Sequence, residues 1–171
     1  MVNKIKSCRS NISGKGLFAQ KEIKKGETIC FMEGDLIDID EMIGRIDNGF
    51  EKGSDPLGVD HEMYIDLDEP YRSANHSCDP NSFLRGRNEL IALKDIKPGE
   101  EITFDYSTTM DDNRKKIEDS GGILWTMKCK CGSKNCRKIV DQFRTLPLER
   151  QRYYIKNKSA PDFILKKFAI L

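Results

Sequence analysis

Between Cys129 and Cys136 the chain reads CKCGSKNC, three cysteines within eight residues in a Cys-x-Cys-x4-Cys pattern. A structural zinc ion takes four ligands at tetrahedral corners, so a loop that supplies three of them forces some distant segment to dock against it with the fourth. The candidates are Cys8, Cys30, Cys78, His61 and His76. Cys30 lies in an apolar run and reads as a small core residue, because a free thiol packs well there. Cys8 sits in a short polar approach to the first strand. Cys78 closes Asn75-His76-Ser77-Cys78 and begins a tight Asp79-Pro80-Asn81 turn, a polar setting that could hold a thiolate out of the core. Spacing alone does not choose among them.

A chain of 171 residues with 37% hydrophobic content can bury one sizeable core, with or without an appendage. The opening MVNKIKSCRS breaks into charge at once, and no apolar stretch approaches the roughly 18 residues of a membrane span. The expectation is a soluble intracellular protein, cytoplasmic, or nuclear if the source is eukaryotic, whose reduced cysteines are available as ligands. A formal charge of +1 conceals an uneven distribution. From Glu33 to Glu69 there are thirteen Asp or Glu against Arg45 and Lys52, a local balance of −11 that leaves +12 for the rest. That region is either a solvated, loop-rich insertion or a field that attracts a basic partner.

The pattern predicts a β-rich fold with small helices. Ile12 to Glu22, Glu27 to Glu33, Met63 to Leu67, Glu89 to Leu93 and Glu101 to Tyr106 are β-like runs, separated by turn signals such as Lys25-Gly26 and Lys97-Pro98-Gly99. Asp38 to Asn48 suits a short helix. From Leu146 onward, LPLERQRYYIKNK and the segment opening at Pro161 predict two C-terminal helices.

Four motifs in order, KGLFA (Lys15 to Ala19), RSANHSCDPNS (Arg72 to Ser82), GEEITFDY (Gly99 to Tyr106) and CKCGSKNC, resemble the SET-domain family of protein-lysine methyltransferases with its C-terminal post-SET zinc cluster. The resemblance covers about Ile5 to Lys138. It implies the SET-domain β-clip fold with a knot-like crossing, which ordinary topology rules would not suggest. It also implies a SET domain over 1–127 and a post-SET zinc segment over 128–140; the helical extension expected over 141–171 lies beyond the shared region. Cys78 becomes the fourth ligand beside Cys129, Cys131 and Cys136 of one zinc ion. S-adenosylmethionine is the implied methyl donor, contacted by the backbone of Lys15, Gly16 and Leu17, by Arg72, by the amide of Asn75, by the backbone of His76 and by Tyr106. The acceptor would be a lysine in a basic protein segment lying as an added strand.

On this reading Tyr106 is the catalytic residue, its hydroxyl at the methyl transfer point. Phe104, two residues earlier on the same face of the strand, lines the lysine channel; Tyr64 and Trp125 are further channel candidates, Trp125 equally a packing anchor for the zinc loop. In the family a Phe at the position of Phe104 resembles a product switch that permits more than one methyl transfer. Two departures stand out. Ser73-Ala74 replaces a bulkier pair before Asn75, and Ser107 to Lys128 lacks the usual Gly after Tyr106 and is polar, with the expectation of mobility. Two alternatives are a catalytically silent SET-like binding module and a zinc-dependent nucleic-acid binder using Lys128, Lys130, Lys134, Arg137 and Lys138. The first is opposed by the full set of motifs. The second lacks the aromatics that usually interleave such a run, so direct nucleic-acid binding is not expected, nor is membrane association.

Overall fold

Three small sheets carry the chain, and their strands are only two to five residues long. The structure, a computed structural model, describes residues 4–49, 56–112, 114–119 and 123–169. In chain order the strands and helices are β1 (Ile5–Arg9), β2 (Lys15–Ala19), β3 (Thr28–Phe31), β4 (Gly34–Asp38), α1 (Ile39–Asp47), β5 (Pro56–Asp60), β6 (Met63–Leu67), β7 (Asn75–His76), β8 (Ser82–Arg85), β9 (Glu89–Ala92), β10 (Glu101–Phe104), α2 (Arg114–Asp119), β11 (Met127–Lys128), β12 (Ile139–Val140), α3 (Leu148–Lys156) and α4 (Asp162–Lys167). The sheets run β1-β2-β10-β7, β3-β9-β8 and β4-β6-β5, with β11 and β12 forming a separate ribbon.

β10 is the keystone of the first sheet. It pairs antiparallel with β2 and parallel with β7, placing Thr103 beside Asn75 and Phe104 beside His76. Ile102, Thr103 and Phe104 are all buried, as a strand covered on both faces must be. Leu17, Ile23, Met32, Leu84, Leu90, Ile96 and Ile102 are wholly excluded from solvent and form one cluster between the sheets. Each such side chain contributes about 1.5–3 kcal/mol by leaving water.

α1 occupies the expected span. Asp38 caps it, its carboxylate accepting from the Glu41 amide at 2.9 Å, and Asp40 and Glu41 oppose Arg45 across the helix dipole. The acidic region around it is a sheet with a helix rather than a loop-rich insertion, and one of its acids is structural: Asp66, 7% exposed, is bound by Arg45 and Arg72. Residues 50–55 of that region lie outside the described residues.

The polar stretch after Tyr106 differs from its expected character. Ser107, Thr108 and Thr109 are buried in a tight turn, because the Thr108 and Thr109 hydroxyls donate to the carbonyls of Asp105 and Tyr106 at 2.7 and 2.9 Å. Residues 113 and 120–122 of the same stretch lie outside the described residues. α3 and α4 follow Pro147 and Pro161, and Phe143, Leu146, Tyr154, Ala160 and Ile164 form a second, smaller apolar cluster beneath them. Among the described residues no helix is long and apolar enough to cross a membrane.

Candidate active site and metal centre

Cys78 enters the metal centre from the turn after β7, and Cys129, Cys131 and Cys136 enter from the loop between β11 and β12. The four sulfurs all lie within 4.8 Å of one another. Thiolates at about 2.3 Å from a tetrahedral zinc stand about 3.8 Å apart, and the Cys78 and Cys129 sulfurs are 3.8 Å apart. The donor set therefore fits the ion. Gly132, at φ +70°, supplies the left-handed residue that folds the loop back on itself. Two backbone amides face the sulfurs, the Arg137 amide donating to Cys78 at 3.4 Å and the Lys138 amide to Cys136 at 3.4 Å, while burial raises the Cys78 and Cys129 thiols. Burial acts to raise the Cys131 thiol, yet backbone donors and Ser133 hold it down at about 6. Cys30 is elsewhere, against the main core, its thiol pushed up to about 12 by burial and the nearby Glu33.

Tyr106 follows β10 directly. Its hydroxyl donates to the Ala74 carbonyl at 2.7 Å, and its amide donates to His76 Nδ1 at 3.2 Å. Burial pushes the His76 pKa down to about 4, outweighing the nearby Asp105. The ring is thus neutral, and because Nδ1 accepts, its proton sits on Nε2, 3.3 Å from the Cys78 sulfur. One imidazole joins the metal ligand to the backbone of the tyrosine.

A second tie converges on Asp105, 2% exposed. Arg137 donates to both of its oxygens, at 2.6 and 2.9 Å, and the Tyr154 hydroxyl donates to one at 2.9 Å. Arg137 was legible only as a member of a basic run; the structure turns it inward, its side chain 15% exposed, which thins the surface that a nucleic-acid reading would need. Ser73-Ala74 also gains a reason: Ala74 is buried with its carbonyl on Tyr106, and the Ser73 hydroxyl donates to Glu69 at 2.9 Å.

Phe104, Tyr106, Ala74, Leu57, Leu67 and Trp125 line a small pocket of about 30 Å3, the candidate for the lysine channel. The Phe104 and Tyr106 rings are 4.9 Å apart. Thr109 and Trp125 also line a far larger groove of about 1350 Å3 between α1, the β5–β6 hairpin and α4, so they stand where the two spaces meet. Tyr64 lines the groove, not the channel, and its hydroxyl donates to Asp112 at 2.7 Å.

The residues expected to face the methyl donor gather along one edge of the first sheet. Asn75 Nδ2 donates to the carbonyls of Ser13 and Lys15 and to Glu101 Oε1, at 3.2, 2.9 and 2.8 Å, tying the turn before β2 to β10. A Cβ on Gly16 would lie 2.3 Å from that Glu101 oxygen, so a side chain there would push the carboxylate off Asn75 and Ser10. Leu17 is a core side chain that leaves only its backbone for a ligand. Lys15 pairs with Glu69 at 3.1 Å. Arg72 donates to the Leu67 carbonyl and to Asp66 and also lines the channel. Asp105, Arg137, Tyr154 and Glu101 were not anticipated as parts of the site; a period-two strand pattern has no signal for a buried acid that draws in partners from afar.

The body of small sheets keyed by β10, with Tyr106 after its last residue and four cysteines gathered nearby, can be set beside known proteins. The SET-domain family model matches residues 14–107, more than half of the chain, and the protein belongs to the SET-domain family. A histone-lysine N-methyltransferase of Fusarium mangiferae described as H3 lysine-9 specific is 33% identical over 159 residues, covering 74% of this chain and 45% of that protein. Histone-lysine N-methyltransferase trithorax of Drosophila virilis is 30% identical over 145 residues, covering 78% of this chain and 4% of its own length. The chain thus spans less than half the length of these curated relatives. Among solved structures, the polycomb repressive complex 2 of Chaetomium thermophilum matches with a TM-score of 0.55 at 28% identity, over 62% of this chain and 15% of that one. KRYPTONITE, solved with mCHG DNA and SAH, matches in fold with a TM-score of 0.60 at 24% identity, over 80% of this chain and 28% of that one.

Proposed function

We propose that this chain is an S-adenosylmethionine-dependent protein-lysine N-methyltransferase acting on a basic protein segment, with zinc held by Cys78, Cys129, Cys131 and Cys136. We also propose the division into a SET domain (1–127), a post-SET segment (128–140) and a helical extension (141–171). The observation that carries the reading is the Tyr106 hydroxyl, anchored on the Ala74 carbonyl beside an apolar channel that meets a large groove.

S-adenosylmethionine, when bound, supplies an activated methyl group on a cationic sulfonium. Asn75, the backbone of His76 and of Lys15 to Leu17, and Arg72 would hold it. The chain's own task is alignment and exclusion of water. A lysine amine has a pKa of about 10.4 and attacks only when neutral; the apolar walls of Leu57, Leu67, Phe104 and Trp125 disfavour its charged form. With its hydrogen directed to Ala74, the phenol oxygen of Tyr106 would accept an N–H of the incoming amine and so orient the nitrogen lone pair along the line of attack. The acids of α1 and the β5–β6 hairpin in the groove support a basic acceptor, and the relatives' histone substrates support a nuclear setting.

Tyr106→Phe is expected to fold and to bind S-adenosylmethionine while losing at least about a hundredfold in turnover, the scale of removing one transition-state hydrogen bond. Calorimetry and labelled-methyl transfer to a lysine peptide measure the two separately, and near wild-type transfer in this variant would remove Tyr106 from its role. A subtler outcome concerns product number. Phe104 offers no hydroxyl to anchor a water in the channel, so the wild type is expected to proceed past monomethyl-lysine and Phe104→Tyr to accumulate the mono product. Mass spectrometry at long reaction times decides, and an unchanged product ladder would count against the assignment.

A further inference from the structure

α4 lies outside the residues matched to the SET domain, yet Phe163, Lys166 and Lys167 form part of the groove wall. The groove's charges are grouped by element: Asp40 and Asp47 of α1 and Asp60 and Glu62 of the hairpin make those walls acidic, while Arg144, Lys166 and Lys167 gather with Asp111 and Asp112 at the wall that α4 shares. Asp111 pairs with two of those three cations: Arg144 donates to its oxygens at 2.8 and 2.7 Å, and Lys167 sits at 2.5 Å. Lys166 is exposed and makes no ion pair to a described residue, so its ammonium is available to a ligand in the groove. Ile43 of α1 and Ile123, 44% and 93% exposed, add uncovered apolar surface to the groove.

We infer that α4 is a specificity element: Lys166 receives a carboxylate from an Asp or Glu of the acceptor protein, and Phe163 packs beside it on an apolar side chain. The preferred acceptor is then bipolar, basic on the flank that meets α1 and acidic on the flank that meets α4. This rests on the reading of the groove as the acceptor site. A uniformly basic segment would satisfy the α1 wall but bring like charge against Lys166, and like-charge juxtaposition is a main device for rejecting wrong partners. A segment seated over Ile43 and Ile123 would displace water there, which gives each charge a larger effect than on an open surface.

The test uses the full chain and labelled peptides with one central lysine, three arginines on one flank and a single Glu walked along the other, each paired with its Gln counterpart, in both flank orders. Binding is read by fluorescence anisotropy and methyl transfer by mass spectrometry on the same peptides. At one or two positions Glu is expected to bind about three- to fivefold more tightly than Gln, the scale of a partly exposed ion pair. The preference should vanish in Lys166→Ala and invert in Lys166→Glu, while Phe163→Ala weakens both members of a pair alike. A Glu-to-Gln ratio near one at every position, or a preference that survives Lys166→Glu, overturns the inference. Binding does not need turnover, so the two readings fail separately. A Lys166-dependent preference without methyl transfer faults the catalytic reading alone, and transfer without Lys166 dependence faults the specificity reading alone.

Discussion

The β-rich body and the segment after Val140 both bury apolar side chains, but they do so on different scales. The body's cluster is continuous from Leu17 on β2 through Met32, Leu84 and Leu90 to Ile102 on β10. The later segment owns a cluster of five buried residues around Phe143 and Tyr154, too small a core to order a helical pair by itself. It is anchored instead by polar ties to the body: Tyr154 on Asp105, Arg150 on the Cys78 carbonyl, and Arg144 and Lys167 on Asp111. The difference teaches where order comes from. Burial holds the body, whereas the C-terminal part borrows its order from two acids and the Cys78 carbonyl, and Asp105 and Cys78 flank the elements that position Tyr106.

The sharpest way to break this comparison is to remove the metal. Cys78→Ser, or chelation of the wild type, is expected to abolish zinc binding, lower the melting temperature and expose 128–169 to proteolysis while the β signal of the body persists. Binding to structural cysteine sites contributes roughly 10–16 kcal/mol in small zinc peptides, so a loss confined to the C-terminal part would be the signature. Simultaneous collapse of both parts would show that the body depends on the metal too. Full zinc content in Cys78→Ser, with loss in Cys30→Ser, would overturn the ligand set.

Arg137→Ala is the next largest. It strands the buried Asp105 carboxylate without its cation, and breaking such a pair costs about 3–5 kcal/mol. Methyl transfer should fall with stability, because Asp105 precedes Tyr106 directly. Thermal unfolding and transfer rates measured together check the link; a stable variant with unchanged rate would make the pair ornamental. The smallest effect is expected from Tyr154→Phe, which deletes one hydrogen bond to a charged group, worth about 1.5–3 kcal/mol. Hydrogen exchange should quicken in α3 more than in β10 if the C-terminal part is the dependent one.

What the sequence made legible follows from which forces leave a linear trace. β6, β9 and β10 were visible through their β-branched and aromatic runs, and α1 through the Asp38 cap and its spacing. β5, PLGVD, was hidden by its own Pro and Gly, and β1, IKSCR, by a weak alternation. Ser107 to Thr109 read as a solvated stretch because hydroxyls that satisfy one another's backbone carbonyls look no different in sequence from hydroxyls facing water. The motifs that carried the family resemblance brought Tyr106, Phe104, Asn75 and Cys78 into view. Nothing local pointed to the convergence of Arg137 and Tyr154 on Asp105, since 32 and 49 residues separate the partners and only the folded chain brings them together.

Trp125 has a practical consequence of its own. It is the single tryptophan of the chain, and it stands where the channel meets the groove. The protein therefore carries a built-in optical reporter at that junction, with no second indole elsewhere to dilute its emission. A ligand that seats a side chain past Trp125 must change what the indole touches, so a shift in its emission maximum can time the arrival of an acceptor peptide without any label, on a scale faster than methyl transfer can be sampled.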